Sequence, residues 1–512
     1  MKRLFSVNIF IFLSILLFSQ QANLFTIPNQ SAHFVRMPSR HASQEVDAVF
    51  FNPAGTTKMK DGFHFSVNNQ VLNQITDLES SYAFYNENPQ NYPGRVTGFF
   101  FPSVMMAYNI KKVSFHGAFL MVGGTGGIQY DNLPISDRGI ADIPVVLQES
   151  FLNNLDNSIF NETGDNPMYS DISNYRFDFR NNGLGYSPGI QAGMAYEIND
   201  YISVSADFRF TRQIVSSDGF VENIQIYNEH HGGWQNPGNL LRNIAEEENL
   251  PFYNSIANIY EEEAADRLID VKQRGSGITP IFGVNITPTP KLNIGLKYEH
   301  RTRTTLTTTV FGGRDGGVFT AGERVRSDIP GFFTIGLGYD ITDRLRVHLG
   351  SRVFIMNNID FNGREAYFDG NYFELESALQ YRLFDNFYIS GGYTFMRPKV
   401  KDEFQNDVDF WIPGHTGALG FKWDAFKEVS FNVGALFTQF NSYSTTQAHL
   451  YADGNPLASK PENYEPVYDI TYNKKAFIIA FGVDFRFPKK NKNNVSESTL
   501  NQDDIPYYYR TQ

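Results

Sequence analysis

Ile202-Ser203-Val204-Ser205-Ala206-Asp207-Phe208-Arg209-Phe210 alternates without a break between apolar and polar side chains. A period of two puts one chemistry on each face of an extended strand. The pattern recurs along the chain. Leu292, Ile294, Leu296 and Tyr298 oppose Asn293, Gly295, Lys297 and Glu299, and Phe333, Ile335, Leu337 and Tyr339 oppose Thr334, Gly336, Gly338 and Asp340. Phe477, Ile479, Phe481, Val483, Phe485 and Phe487 also share one face. Each strand has a bulky apolar face and a face that is small, polar or charged. A sandwich would cover the apolar faces with a second sheet. Here the apolar runs carry an aromatic near a strand end (Tyr108, Tyr196, Tyr298, Tyr339, Tyr381, Tyr393, Trp423), which suits rings at a membrane interface.

The turns fall into two classes. Short polar turns lie near Lys111-Lys112, Asn199-Asp200, Thr287 to Pro290, Thr342-Asp343, Asp385-Asn386 and Asp424 to Glu428, with longer segments between them. Short turns at one end and long loops at the other are the asymmetry of transmembrane barrels. The expected fold is an all-β barrel of fourteen antiparallel strands over residues 62–487. The strands are expected near 62–74, 95–109, 113–123, 185–198, 201–227, 278–287, 291–310, 330–341, 344–357, 372–383, 387–398, 413–424, 428–443 and 475–487. Two connections, from Gly124 to Gly183 and from Asn228 to Gly277, are long and contain apolar residues at helical spacing. Loops of that length usually have a role. Leu147, Phe151, Leu240, Leu241 and Ile244 are the candidate surface site for a greasy ligand, with a simple lid as the other reading.

The chain has 512 residues, 19% charged and 15% aromatic, and no cysteine. That excludes a disulfide framework, a thiol nucleophile and a thiolate metal site. A net charge of -12 argues against a nucleic-acid partner. Met1-Lys2-Arg3 followed by the apolar run Leu4 to Phe18 reads as a secretion signal over 1–22. Residues 488–512 read as a polar tail.

Between signal and barrel, residues 23–61 are expected to form a plug inside the lumen. Its decisive stretch is Asp47-Ala48-Val49-Phe50-Phe51-Asn52-Pro53-Ala54-Gly55. Asn52-Pro53 is a corner, since proline fixes its own φ and drives its predecessor out of the α region. Gly55 offers a position free to take positive φ.

Neither a G-x-x-x-x-G-K-[ST] loop, an H-E-x-x-H helix nor a G-x-S-x-G elbow occurs, so no enzyme, cofactor or metal site is expected. Gly123-Gly124-Thr125-Gly126-Gly127 reads as a flexible rim, and His230-His231 as a solvated loop pair. Arg209, Arg346, Arg352 and Lys297 point to a partly basic lumen that either attracts a carboxylate or pairs with Asp207, Glu299 and Glu374.

A secretion signal, then Asp47-Ala48 and Asn52-Pro53-Ala54-Gly55, then a fourteen-strand pattern resembles the FadL/OmpP1/TodX family of outer-membrane transporters. The run Ser31 to Met37 departs from that family's glycine-rich plug. The resemblance implies passive transport of hydrophobic molecules, such as long-chain fatty acids, across the outer membrane of a Gram-negative bacterium. Surface loops would capture the ligand, a lumen pocket above the plug would hold it, and a gap in the wall near the third strand would release it sideways. Leu24, Phe25, Arg209, Arg346 and Arg352 are then candidate lumen contacts. Pro102, Gly117, Gly123 and Gly124 are candidates for the lateral opening, because a gap needs a strand defect. The implied partners are membrane lipid, a small hydrophobic ligand and, during biogenesis, the barrel-assembly machinery. A docking role in a secretion apparatus and haem uptake are the alternatives.

Overall fold

The computed structural model describes residues 30–81, 90–160, 168–312, 319–448 and 467–489. The expected signal, Leu24, Phe25 and nearly all of the tail lie outside the described residues. A single antiparallel sheet closes on itself. Its strands in chain order are β1 (Gly62–Ser80), β2 (Gln90–Gly98), β3 (Ser103–Ile110), β4 (Val113–Tyr130), β5 (Ile172–Asn199), β6 (Ile202–Asn228), β7 (Gly233–Gln235), β8 (Arg267–Thr289), β9 (Leu292–Glu299), β10 (Thr305–Val310) and β11 (Arg324–Arg326). They continue with β12 (Gly331–Asp340), β13 (Leu345–Ile355), β14 (Tyr372–Phe384), β15 (Phe387–Arg397), β16 (Gly414–Phe426), β17 (Val429–Phe440), β18 (Tyr443–Ala448) and β19 (Val467–Pro488). The pairs β2/β3, β9/β10 and β17/β18 are each one wall strand with an interruption, and β7 and β11 are rim additions. Fourteen strands therefore surround the lumen. The barrel closes where β1 pairs with β19, from Gly62↔Pro488 to Ser80↔Ile470.

Burial alternates along each strand, and the apolar face points outward. Phe115, Ile190, Phe208, Phe282, Leu419 and Phe481 are all more than half exposed. Tyr108, Tyr196, Tyr339, Tyr393 and Trp423 are exposed too, as expected for an interfacial girdle. Closure removes the sheet's edges, as a lipid environment demands.

Several strands run past their expected ends. β5 begins at Ile172 rather than near 185, β8 at Arg267 rather than near 278, and β19 at Val467 rather than near 475. Ser173, Asn174, Arg176, Asp178 and Arg180 explain the first case. That stretch projects beyond the apolar zone, and its aromatic face (Tyr175, Phe177, Phe179) turns inward while the polar residues face out, the reverse of the wall below. The glycines at 123–127 belong to β4 rather than to a rim.

Segment 30–58 lies inside the barrel and is almost wholly buried. It folds as a short helix (Ala32–Arg36), a second one (Ala48–Phe51) and a 3-10 turn (Pro53–Lys58). Its hydrogen bonds reach strands on all sides. Arg36 donates to Asn432 and Gln380, the Asn52 amide to Asn285, and Lys297 to the carbonyl of Phe50. The wall is thinned where it passes. A Cβ on Gly434 would sit 2.4 Å from the Arg36 nitrogen, and one on Gly295 2.0 Å from the His41 carbonyl oxygen. Gly55 does not take the positive φ expected of it. Its bareness serves close approach instead, since a Cβ there would lie 2.5 Å from the Ser43 carbonyl oxygen.

Candidate functional site

The enclosed segment builds a floor. Phe34 stacks on Phe51 at 5.4 Å, and Phe51 meets Phe50 edge-on at 4.9 Å. This aromatic stack is fixed by a buried ionic knot. Arg40 Nε donates to Asp47 Oδ2 at 2.7 Å and Nη2 to Asp47 Oδ1 at 2.8 Å, while Nη2 also reaches Glu45 at 2.5 Å. Burial pushes the Asp47 carboxyl up, but Arg40 and His33 outweigh it and hold Asp47 below the ordinary carboxylate range. His33, Glu45 and Asp47 bring ligand atoms within 4.8 Å of one another. The Arg40 guanidinium already bridges both carboxylates, which leaves a cation little to neutralise. Asn52, the corner residue, donates to the Ser43 carbonyl at 2.9 Å and ties the segment's two halves together.

Above Phe34 lies a cavity of about 130 Å³. Leu436 and Phe440 of β17, Ala476 and Ile478 of β19, Leu72 of β1, and Tyr372 and Met396 of β14 and β15 form its walls. Phe410, Trp411 and Ile412, from the loop after β15, form its roof. Two charged groups border it. Glu374 accepts from the Tyr372 hydroxyl at 2.6 Å and from Arg352 at 3.0 Å, and the Lys474 ammonium lies 5.0 Å from the Phe440 ring centroid. The cavity is thus mainly apolar with a small, fixed polar component, as sites for small ligands usually are.

Phe101 and Gly124 also line the cavity, and both stand at a break in the wall. β2 pairs with β4 as far as Thr97↔Gly127, and pairing resumes between β3 and β4 at Val104↔Phe119. Residues 98–103 and 120–126 face each other with no ladder between them. Two register shifts against β5, at Met121/Gly123 and Gly124/Gly126, displace β4 here. Gly124 has φ +141°, and a Cβ on it would sit 2.6 Å from the Gly185 carbonyl oxygen, so only glycine fits the bulge.

Polar side chains stand in for the missing ladder. Asn69 donates to the Phe99 carbonyl at 3.2 Å and accepts from the Phe101 amide at 3.1 Å. Gln30, at the start of the enclosed segment, donates to the Met121 carbonyl at 2.6 Å, while its own carbonyl accepts from the Ser103 hydroxyl at 2.5 Å. One residue therefore bridges both margins of the break. Sequence reading missed Gln30 and Asn69, because an isolated amide in a polar stretch carries no pattern.

The other expected residues are distributed as follows. Pro102, Gly123 and Gly124 lie at the break, but Gly117 sits in an unbroken ladder, paired with Met106 and Ala192. Arg209 and Arg352 face inward but are engaged by Glu299 and Glu374. Asp207 pairs with His116 rather than with an arginine. Arg346 lies near the short-turn end, 3.6 Å from Asp340, away from the apolar cavity. Leu147, Leu240, Leu241 and Ile244 do converge, but into one buried core with Phe151 packed against it. The helices Pro134–Leu147 and Pro237–Glu247 turn these side chains into that shared core.

No protein-family model matches the chain, and no curated protein sequence matches it. Among solved structures, the barrel is similar to a Pseudomonas aeruginosa FadL homologue, with 12% identity, 91% of this chain and 100% of that chain covered, and a TM-score of 0.58. It is similar to a deletion mutant of the TodX monoaromatic hydrocarbon channel, with 11% identity, 90% and 100% coverage, and a TM-score of 0.51. The fold is that of FadL-type barrels.

Proposed function

We propose that this protein is a passive outer-membrane channel for small hydrophobic molecules. The observation that carries this reading is the apolar cavity lying directly behind the break between residues 98–103 and 120–126. A greasy molecule held there has lipid on one side and the aromatic floor of Phe34 on the other. Partition drives it sideways through the wall, because apolar surface gains nothing from a watery exit. Gln30 couples the two parts of the path, since any shift of the enclosed segment withdraws its contacts from both margins. The aromatic lining from Phe34, Phe101, Tyr372, Phe410, Trp411 and Phe440 suits flat rings as well as acyl chains.

Uptake into proteoliposomes tests the reading. A fluorescent long-chain fatty acid and a fluorescent monoaromatic compound should enter faster than they enter protein-free vesicles, while a sugar of similar mass should not. Leu436→Trp fills the cavity and should slow entry several-fold. Entry unchanged by that substitution would remove the cavity from the path.

A further inference from the structure

On the outside of the barrel, three arginines stand together on neighbouring strands. Arg212 on β6 lies opposite Ser276 on β8, and Arg274 on β8 lies opposite Ile214 on β6. Arg274 is also opposite Thr307 of β10, and the Arg303 backbone, just before β10, lies against Gly277. Arg212 and Arg274 are therefore diagonal neighbours, about 7–8 Å apart at their Cα atoms, and Arg303 stands on the next strand over, level with a position three residues along from Arg274. All three are exposed, and none makes an ion pair or a side-chain hydrogen bond among the described residues. Unpaired cations on adjacent strands repel one another, so their clustering calls for an anion.

Their height on the wall identifies the kind of anion. On the short-turn side of the cluster, the outer face is purely apolar, with Phe208, Phe210, Ile278 and Phe282 all strongly exposed. Towards the long-loop side the face turns polar through Ser216, Lys272, Asp218 and Asp270. Lys272 lies over the Phe311 ring, and Asp218 accepts from Asn182. Asp270 is four residues along the strand from Arg274, about 13 Å away, so it does not neutralise the cluster. The arginines thus mark the level at which acyl chains give way to headgroups.

We propose that Arg212, Arg274 and Arg303 form a docking surface for the phosphate groups of a membrane lipid whose acyl chains lie along Phe208, Phe210, Ile278 and Phe282. Guanidinium groups bind phosphate oxygens in a forked geometry, and several can share one phosphate. A free anion would need only the arginines. A lipid uses the arginines and the apolar strip below them at once, and the two are continuous here.

The test uses the full barrel purified in a neutral detergent. It is exposed to mixed micelles containing bisphosphorylated lipid A, the same lipid without its phosphates, or inorganic phosphate alone, and retained lipid is counted by native mass spectrometry. The wild type should keep the bisphosphorylated lipid through exchange into clean detergent. Arg212→Ala/Arg274→Ala/Arg303→Ala should reduce retention by about a hundredfold, given roughly a fivefold contribution from each basic side chain near an anionic surface. The corresponding triple lysine variant should recover part of the retention. Heat-modifiability on electrophoresis shows that each variant remains a folded barrel. Equal retention by the alanine variant, or equal retention of the dephosphorylated lipid, overturns the proposal. Displacement of the lipid by millimolar inorganic phosphate also overturns it, in favour of a free-anion site.

Discussion

The side-chain amide of Gln30 donates to the Met121 carbonyl at 2.6 Å, from a segment inside the barrel to a strand at the break in its wall. That strand has no ladder partner on this side between residues 120 and 126, so the donor comes from the lumen instead. Gln30→Leu keeps the volume and removes the donor. The expected loss is about 1 kcal/mol of stability, read by urea titration, together with faster entry of a hydrophobic dye into proteoliposomes. Slower entry would show that Gln30 holds the route open rather than shut.

Asn69 serves the other margin, holding Phe99 and Phe101 by two bonds. Asn69→Leu removes the Asn69 bond to the Phe99 carbonyl and leaves the Phe101 amide only its weaker 3.3 Å contact to the Gln70 carbonyl. The cost should be about 1–3 kcal/mol, and amide exchange at Phe101 should accelerate while the regular ladder around Gly117 stays protected.

The ionic knot can be tested by Arg40→Ala. Arg40 and Asp47 are both almost fully buried, and removing one partner strands the other charge. A loss of about 3–5 kcal/mol is expected, confined to segment 30–58 and visible as new protease cleavage there in an otherwise intact barrel. Gly434→Val tests the thin wall directly. The new side chain would overlap the Arg36 backbone, with an overpacking cost of about 1–3 kcal/mol.

The roof should respond to pH. Asp407 and Asp409 are both pushed up to about 6 by burial, against the opposing pull of Arg138 and Arg364 respectively. Both sit in the loop that carries Phe410 and Trp411. A carboxyl whose folded pKa exceeds its unfolded value of roughly 3.9 binds its proton more tightly when folded. Its contribution is therefore full below about 4, declines as pH rises, and is gone above about 6. Trp411 emission should report a firmer roof at pH 4 than at pH 7. Asp407→Asn keeps an acceptor for the Ile135 amide, a contact of 2.6 Å in the parent, and should flatten the profile.

Strand alternation made the wall readable from residues such as Ile202 to Phe210, because lipid on one side and a polar lumen on the other impose opposite chemistries on neighbouring positions. The same logic stopped short above the membrane, where Ser173 to Arg180 keep the alternation but turn their aromatic residues inward and their polar ones to water. Gly295, Gly336 and Gly434 were visible as a small inner face, but a strand cannot reveal that a second piece of chain presses against it there. Phe34 and Phe101 border one cavity from distant parts of the sequence, and nothing local to either residue announces the other. Leu147 and Leu241 were recognisable as an apolar pair of loops, yet mutual burial and ligand capture call for the same side chains.

The pairing of β1 with β19 sets an order of events. The enclosed segment is continuous with β1, and the partner that shuts the cylinder behind it is the last of the described strands. Segment 30–58 can therefore be laid against the wall strands before the seam closes over it. A chain cut short before residue 467 would keep β1 on β2 and β3 but leave its other edge open, so the segment would lie in an unclosed sheet.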